Sequence, residues 1–207
     1  MAAPGQPRKP VLLRRGTADK LAYYASAQGM GVLAPRGWHC FGIYGSGGES
    51  IIVSPEPLDS RKLFSPDWHG LTGPGVILTH RDGGTSGRFV VAGIIARLFP
   101  EWMEFTQAVR KENLSMDDPY PTGPYPGDTL RYKSKSSVEF HTPAQTQGMG
   151  TSDRLLKGNA PIDGVVMLVC QTPDVLLLAM RLPPGLQAVQ PDVVRQMEGA
   201  AARYHCE

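Results

Sequence analysis

Two strongly apolar runs, Ile162 to Cys170 and Val175 to Leu182, stand on either side of Thr172-Pro173-Asp174. Each is strand-sized and rich in Val and Leu, and so short a gap predicts a tight turn between antiparallel neighbours. Apolar at nearly every position, they belong at the centre of a sheet rather than at its edge. Composition narrows the choice further. Gly (24) and Pro (19) supply 43 of the 207 residues, nearly double the usual share of roughly 12%, which predicts many turns and excludes a helical bundle.

Ahead of this pair the pattern changes period several times. Leu21, Tyr24 and Ala25 at helical spacing, with Gly29 and Gly31 behind them, predict a short first helix closed by a glycine. Val32-Leu33-Ala34 reads as a strand. Trp38 to Tyr44 and Ser50 to Ser54 flank Gly45-Ser46-Gly47-Gly48, which predicts a hairpin with a glycine-rich tip. Pro55 to Gly75 reads as an ordered loop and Val76 to Thr79 as a short strand. A helix opens after Asp82-Gly83-Gly84-Thr85-Ser86-Gly87, with Ser86 or Thr85 as its N-cap. Pro100 to Lys111 has helix signals at both ends. Ser115 to Asp128 is a proline-rich surface loop, Thr129 to Thr142 has strand composition, Pro143 to Pro161 is a long polar loop, and Pro191 starts a last helix. The order predicts an α+β fold in which helices cover an antiparallel sheet, with residues 16–207 as one domain behind a flexible leader over 1–15.

The run APRGWHCFGIYGSGGESIIVSP, with Pro35, Gly37 and Trp38 as its motif, resembles the opening strand and hairpin of Mog1/PsbP-like domains. The segment VVMLVCQTPDVLLLAMRLPPGLQAVQPDVVRQME is similar to the strand pair and helix that close that fold. The chain is also similar to exported bacterial proteins with an APRGWxC…YGS pattern. The resemblance implies a Mog1/PsbP-like sandwich, acting as an exported or scaffold-associated interaction module without catalysis.

Lys and Arg number 21 and Asp and Glu 19, a surplus of +2. That is too small to drive nucleic-acid binding through counterion release. No apolar run approaches the roughly 18 to 20 residues of a membrane-spanning helix, and 41% hydrophobic residues exclude disorder from low hydropathy. Ala2-Ala3-Pro4-Gly5-Gln6-Pro7 has the character of a newly cleaved N-terminus, so the protein is expected in the periplasm or outside the cell. Three cysteines suit one bridge and one leftover thiol. Cys170 ends a buried-strand run and reads as the leftover, which pairs Cys40 with Cys206. A zinc site built from His39-Cys40 and His205-Cys206 is disfavoured, because adjacent strand residues point to opposite faces. No metal or cofactor is expected.

His80, Asp82 and Ser86 supply the residue types of a serine hydrolase triad, yet no G-x-S-x-G elbow surrounds Ser86. The plainer reading makes Asp82 a turn residue and Ser86 a helix cap. Gly83, Gly84, Thr85, Ser86 and Arg88 offer N–H groups and a guanidinium to an anion at the following helix. Tyr120 and Tyr125, set between prolines, are expected to be exposed, where they anchor their loop or, as partner-surface candidates, meet a partner, while Trp38 is expected in the core. His69 and His141 read as structural or surface residues; Glu139, two residues before His141, shares its strand face. The reading that results is a non-enzymatic exported domain that binds a protein or small ligand through the hairpin tip and the Pro/Tyr loop. The alternative is a serine-type hydrolase using His80, Asp82 and Ser86.

Overall fold

A computed structural model describes residues 13–14, 16–112 and 119–202. Leu21–Ala25 (β1) and Gly31–Pro35 (β2) pair as a separate antiparallel hairpin. The main sheet comprises His39–Gly45 (β3), Gly48–Ser54 (β4), Gly75–Arg81 (β5), Thr129–Ser134 (β6), Ser137–Thr142 (β7), Ile162–Val169 (β8) and Asp174–Arg181 (β9). Its order is β3-β4-β5-β9-β8-β7-β6, with every neighbouring pair antiparallel. The helices are Ser60–Leu63 (α1), Arg88–Leu98 (α2), Met103–Glu112 (α3) and Gln190–Ala201 (α4). The protein is thus α+β, with a large antiparallel sheet.

The sheet is covered on both faces, and the two-residue period of its strands sorts the core. Along β9, Leu176, Leu178 and Met180 face one side, where they pack with Val32 and Leu33 of β2 and Val193 and Met197 of α4. Val175, Leu177 and Ala179 face the other, against Val91, Ile95 and Leu98 of α2. This explains why the two runs read from the sequence are apolar throughout: both faces of β8 and β9 are buried. Between β2 and α4 the contact is also polar. The Gln196 side chain acts as a stand-in strand edge, its Oε1 accepting from the Leu33 N–H (3.0 Å) and its Nε2 donating to the Gly31 carbonyl (3.4 Å).

Three local expectations are corrected. Leu21 to Ala25 is a strand, not a helix. Both Leu21 and Tyr24 are buried although a strand points them to opposite faces, so over five residues their spacing mimics a helical stripe. Gly29, at φ +99°, allows the turn that returns the chain to β2. The region Thr129 to Thr142 divides at its Ser/Lys-rich middle into β6 and β7, with a bulge between Tyr132 and Ser134. The cap position before α2 is held by Gly87 and makes no side-chain cap bond. Thr85 contributes through its hydroxyl oxygen, 3.4 Å from the Gly87 N–H.

Asp192, in the first turn of α4, fastens Arg14 and Thr17 to the body. Its fully buried carboxylate accepts from Arg14 Nε (3.2 Å) and Arg195 Nη1 (2.9 Å). Burial works against its charge, but hydrogen bonds from Thr17 and Arg14 and the Arg14 charge outweigh it and hold the carboxyl below the usual aspartate range. A depressed carboxylate pKa stabilises the fold fully above the unfolded value, near 3.9, and that stability fades as pH falls through the folded value. Asp192→Asn should therefore cost about 1–3 kcal/mol at pH 7. The gap from wild type should close below about pH 4 in denaturant titrations run across pH.

Candidate functional site

The residue types named for a triad go to three different partners. His80 Nε2 lies 3.1 Å from Asp174 Oδ2, across the β5–β9 ladder. Asp82 Oδ1 accepts from the Gly84 N–H at 2.7 Å, the turn role expected of it. Ser86 Oγ sits 3.1 Å from Ser46 Oγ, where the β3–β4 hairpin tip rests on the β5–α2 connection. That packing is close enough that a Cβ on Gly87 would lie 2.3 Å from the Gly47 carbonyl oxygen.

The candidate anion cradle is filled from within. The Gly83 N–H donates to Asp174 Oδ1 (2.9 Å), the Gly84 N–H to Asp82, and Arg88 is held 3.1 Å from Glu112 and over the Phe89 ring. Two carboxylates thus stand where a bound anion would have used those N–H groups.

Tyr120 and Tyr125 are half-buried rather than exposed. Tyr120 lies on α2 at Gly93, where a Cβ would meet its ring at 3.6 Å, and the Arg97 guanidinium stacks 3.8 Å from the Tyr125 ring centre. The loop is further tied down by the Gly123 N–H on the Ala96 carbonyl (3.1 Å). Both rings anchor the proline-rich loop.

The bridge between Cys40 and Cys206 is not formed at Cys40, which is a free, half-buried thiol turned toward the core shared by β1, β2 and α4. Burial pushes this thiol up, away from reactivity. Cys206 lies outside the described residues, and Cys170, expected to be the leftover, is not free. Trp38 is partly buried against the same core. Among the described residues, no group of three or more His, Cys, Asp or Glu side chains is placed to hold a metal ion.

Two concave regions are larger than a third of about 280 Å³ at Met30, His80 and Met197. One, of about 490 Å³, lies between the β6–β8 end of the sheet and α4. It contains a pair the sequence did not reveal, His141 Nδ1 and Asp163 Oδ1 at 2.7 Å, brought together by direct opposition across β7 and β8. Its cations are already matched: Arg131 and Lys133 to Glu139, Lys133 also to Glu198, and Arg195 to Asp192. The second, of about 530 Å³, runs along the outer edge of β3. One wall is the β1–β2 turn at Ser26 and the other is Leu58–Ser60. Phe41 and Ile43 lean toward the α2 core, while Cys40 faces the opposite one and Tyr44 is 72% exposed.

The two edges of the sheet differ. β6 places Arg131 and Lys133 on its strand and is kinked by its bulge, the usual guards against adding another strand. β3 is seven residues long with no Lys, Arg, Asp or Glu. Among the described residues, nothing pairs with the outward N–H and C=O groups of β3. An edge of this kind can do one thing chemically, which is to hydrogen-bond an extended backbone.

No protein-family model matches the chain, and neither a curated protein nor a solved structure is significantly similar to it. Among the described residues, no helix is long and apolar enough to cross a membrane.

Proposed function

We propose that this chain is a non-enzymatic binding domain that holds a polypeptide partner in extended form along β3. The observation that carries the reading is the unguarded β3 edge lying in its own slot, while the opposite edge of the same sheet is guarded. The hairpin tip, Gly45 to Gly48, closes one end of that edge, and we include it in the proposed binding surface. The Pro/Tyr loop does not share it, since its two rings anchor the loop to α2. We extend the proposal to export, on the run from Ala34 to Ser46 that resembles exported bacterial proteins, and to kinship with Mog1/PsbP-like domains. Helices on both faces of an antiparallel sheet and a closing strand pair and helix support that kinship.

Selection of peptides on the full chain from a random display library tests the reading. Selected peptides should bind Ile43→Lys at least tenfold more weakly, because a lysine there guards the edge. They should also slow amide exchange in β3. Ile43 is only half-buried, so thermal unfolding of the variant should stay near wild type. Peptides that bind wild type and Ile43→Lys equally, with β3 exchange unchanged, would remove the proposal.

A further inference from the structure

The walls of the β3 slot say what kind of segment it accepts. Two carboxylates line it, Glu49 from β4 and Asp59 from the Leu58–Ser60 wall, where its Oδ1 also accepts from the Lys62 N–H at 2.8 Å to cap α1. Glu49 stands beside the Ser26 turn, its Oε2 accepting from Ser26 Oγ at 3.2 Å, and Asp59 stands beside Leu58. Among the described residues, no Lys or Arg lines the slot, although Lys and Arg outnumber Asp and Glu over the whole chain. Between the carboxylates the lining is apolar, with Phe41, Ile43 and Leu58 all packing toward the α2 core. A strand laid along β3 would present alternate side chains to these residues and the rest toward Ser26 and Tyr44.

Resting on the edge-binding reading, we infer that the slot takes an extended segment of another polypeptide that alternates apolar residues and carries Lys or Arg on each of its two faces. Backbone pairing with β3 supplies affinity, the apolar side chains fix the register, and Glu49 and Asp59 select positive charge. A second copy of this chain fits less well. Two-fold pairing about Gly42 sets two acidic slots against each other. It also places both Ser26 turns on one face of the joined sheet, where each already comes within 3.2 Å of a Cβ built at Gly42.

Three labelled peptides read by fluorescence anisotropy on the full chain decide the point. They are Lys-Val-Ser-Val-Ser-Val-Ser-Lys, whose end lysines fall on opposite faces, a twin with Glu at both ends, and a twin of the first with Pro at both its second Val and the Ser that follows, so that one missing N–H must face β3. The lysine peptide should bind, with affinity falling as salt rises. The Glu twin should bind at least tenfold more weakly and the Pro twin not measurably. Glu49→Gln with Asp59→Asn, an exchange that keeps a capping side chain ahead of α1, should shrink the Lys-over-Glu preference to within about threefold. Equal binding of the Lys and Glu peptides overturns the charge selection and leaves the edge reading standing. Equal binding of the Pro twin overturns the edge reading itself. Failure of all three, with self-association in sedimentation, assigns the slot to a second copy and overturns the inference. Binding that appears only when residues 1–12 are deleted assigns the slot to the chain's own basic leader and overturns it too.

Discussion

Arg181→Met should lower the stability of the fold by about 2–4 kcal/mol, seen as an earlier urea midpoint at unchanged slope. Arg181 ends β9 and is 3% exposed, yet among the described residues it forms no ion pair with a carboxylate. Its guanidinium instead donates to main-chain carbonyls: Ala160 (3.1 Å), Thr72 (2.9 Å), Gly73 (3.1 Å), Leu71 (3.4 Å) and Leu156. Burial pulls its pKa down from a value so high that the group stays charged at any pH the fold survives. One planar fork thereby joins two loops that have little secondary structure of their own, the segment at 71–73 and the segment at 156–160. The bridge between Leu71 and Leu155 reinforces the join. Arg181→Lys keeps the charge but not the fork, and should recover less than half of the loss. Amide exchange should accelerate first in these two segments. A Met variant within about 0.5 kcal/mol of wild type, with exchange unchanged there, would show that water replaces the guanidinium without cost.

The parts of this fold legible in the sequence are those decided by neighbours in the chain. Ile162 to Cys170 and Val175 to Leu182 could be placed at the sheet centre because burial on both faces demands an apolar residue at every step. The β3–β4 hairpin could be read from its glycines, and α2 and α4 from their apolar stripes. What escaped depends on pairing between distant segments. His80 meets Asp174 and not the nearer Asp82, and His141 meets Asp163, because strand register decides which side chains become neighbours. Tyr120 and Tyr125 were misjudged for a related reason. Prolines mark a backbone that stays at the surface, but where each ring goes is settled by Gly93 and Arg97 on α2. Cys40 remains a thiol because the strand turns it inward. The candidate site is the extreme case. That β3 lies at an edge is a property of the order of all seven strands and of none of its own residues, and only that order turns its lack of charged side chains into an unguarded edge.

The heaviest loss from a single methyl group is expected at Gly164, on β8. A Cβ there would stand 2.0 Å from the Leu178 carbonyl oxygen and 2.4 Å from Phe140 Cζ. Phe140 lies directly opposite on β7, and its buried ring covers the space a side chain would take, the usual way a sheet compensates for a glycine. The ring can turn aside at a cost, but the Leu178 carbonyl belongs to the central β9 strand and cannot move without loosening its pairing with β8. Gly164→Ala should therefore cost about 3–5 kcal/mol by denaturant titration. The two contacts can be separated. Phe140→Leu removes the ring, so the double variant should regain about 1 kcal/mol relative to the sum of the single losses, while the clash with Leu178 persists. If the double variant recovers nothing, the backbone contact dominates and the sheet, rather than the aromatic cover, forbids a side chain at this position.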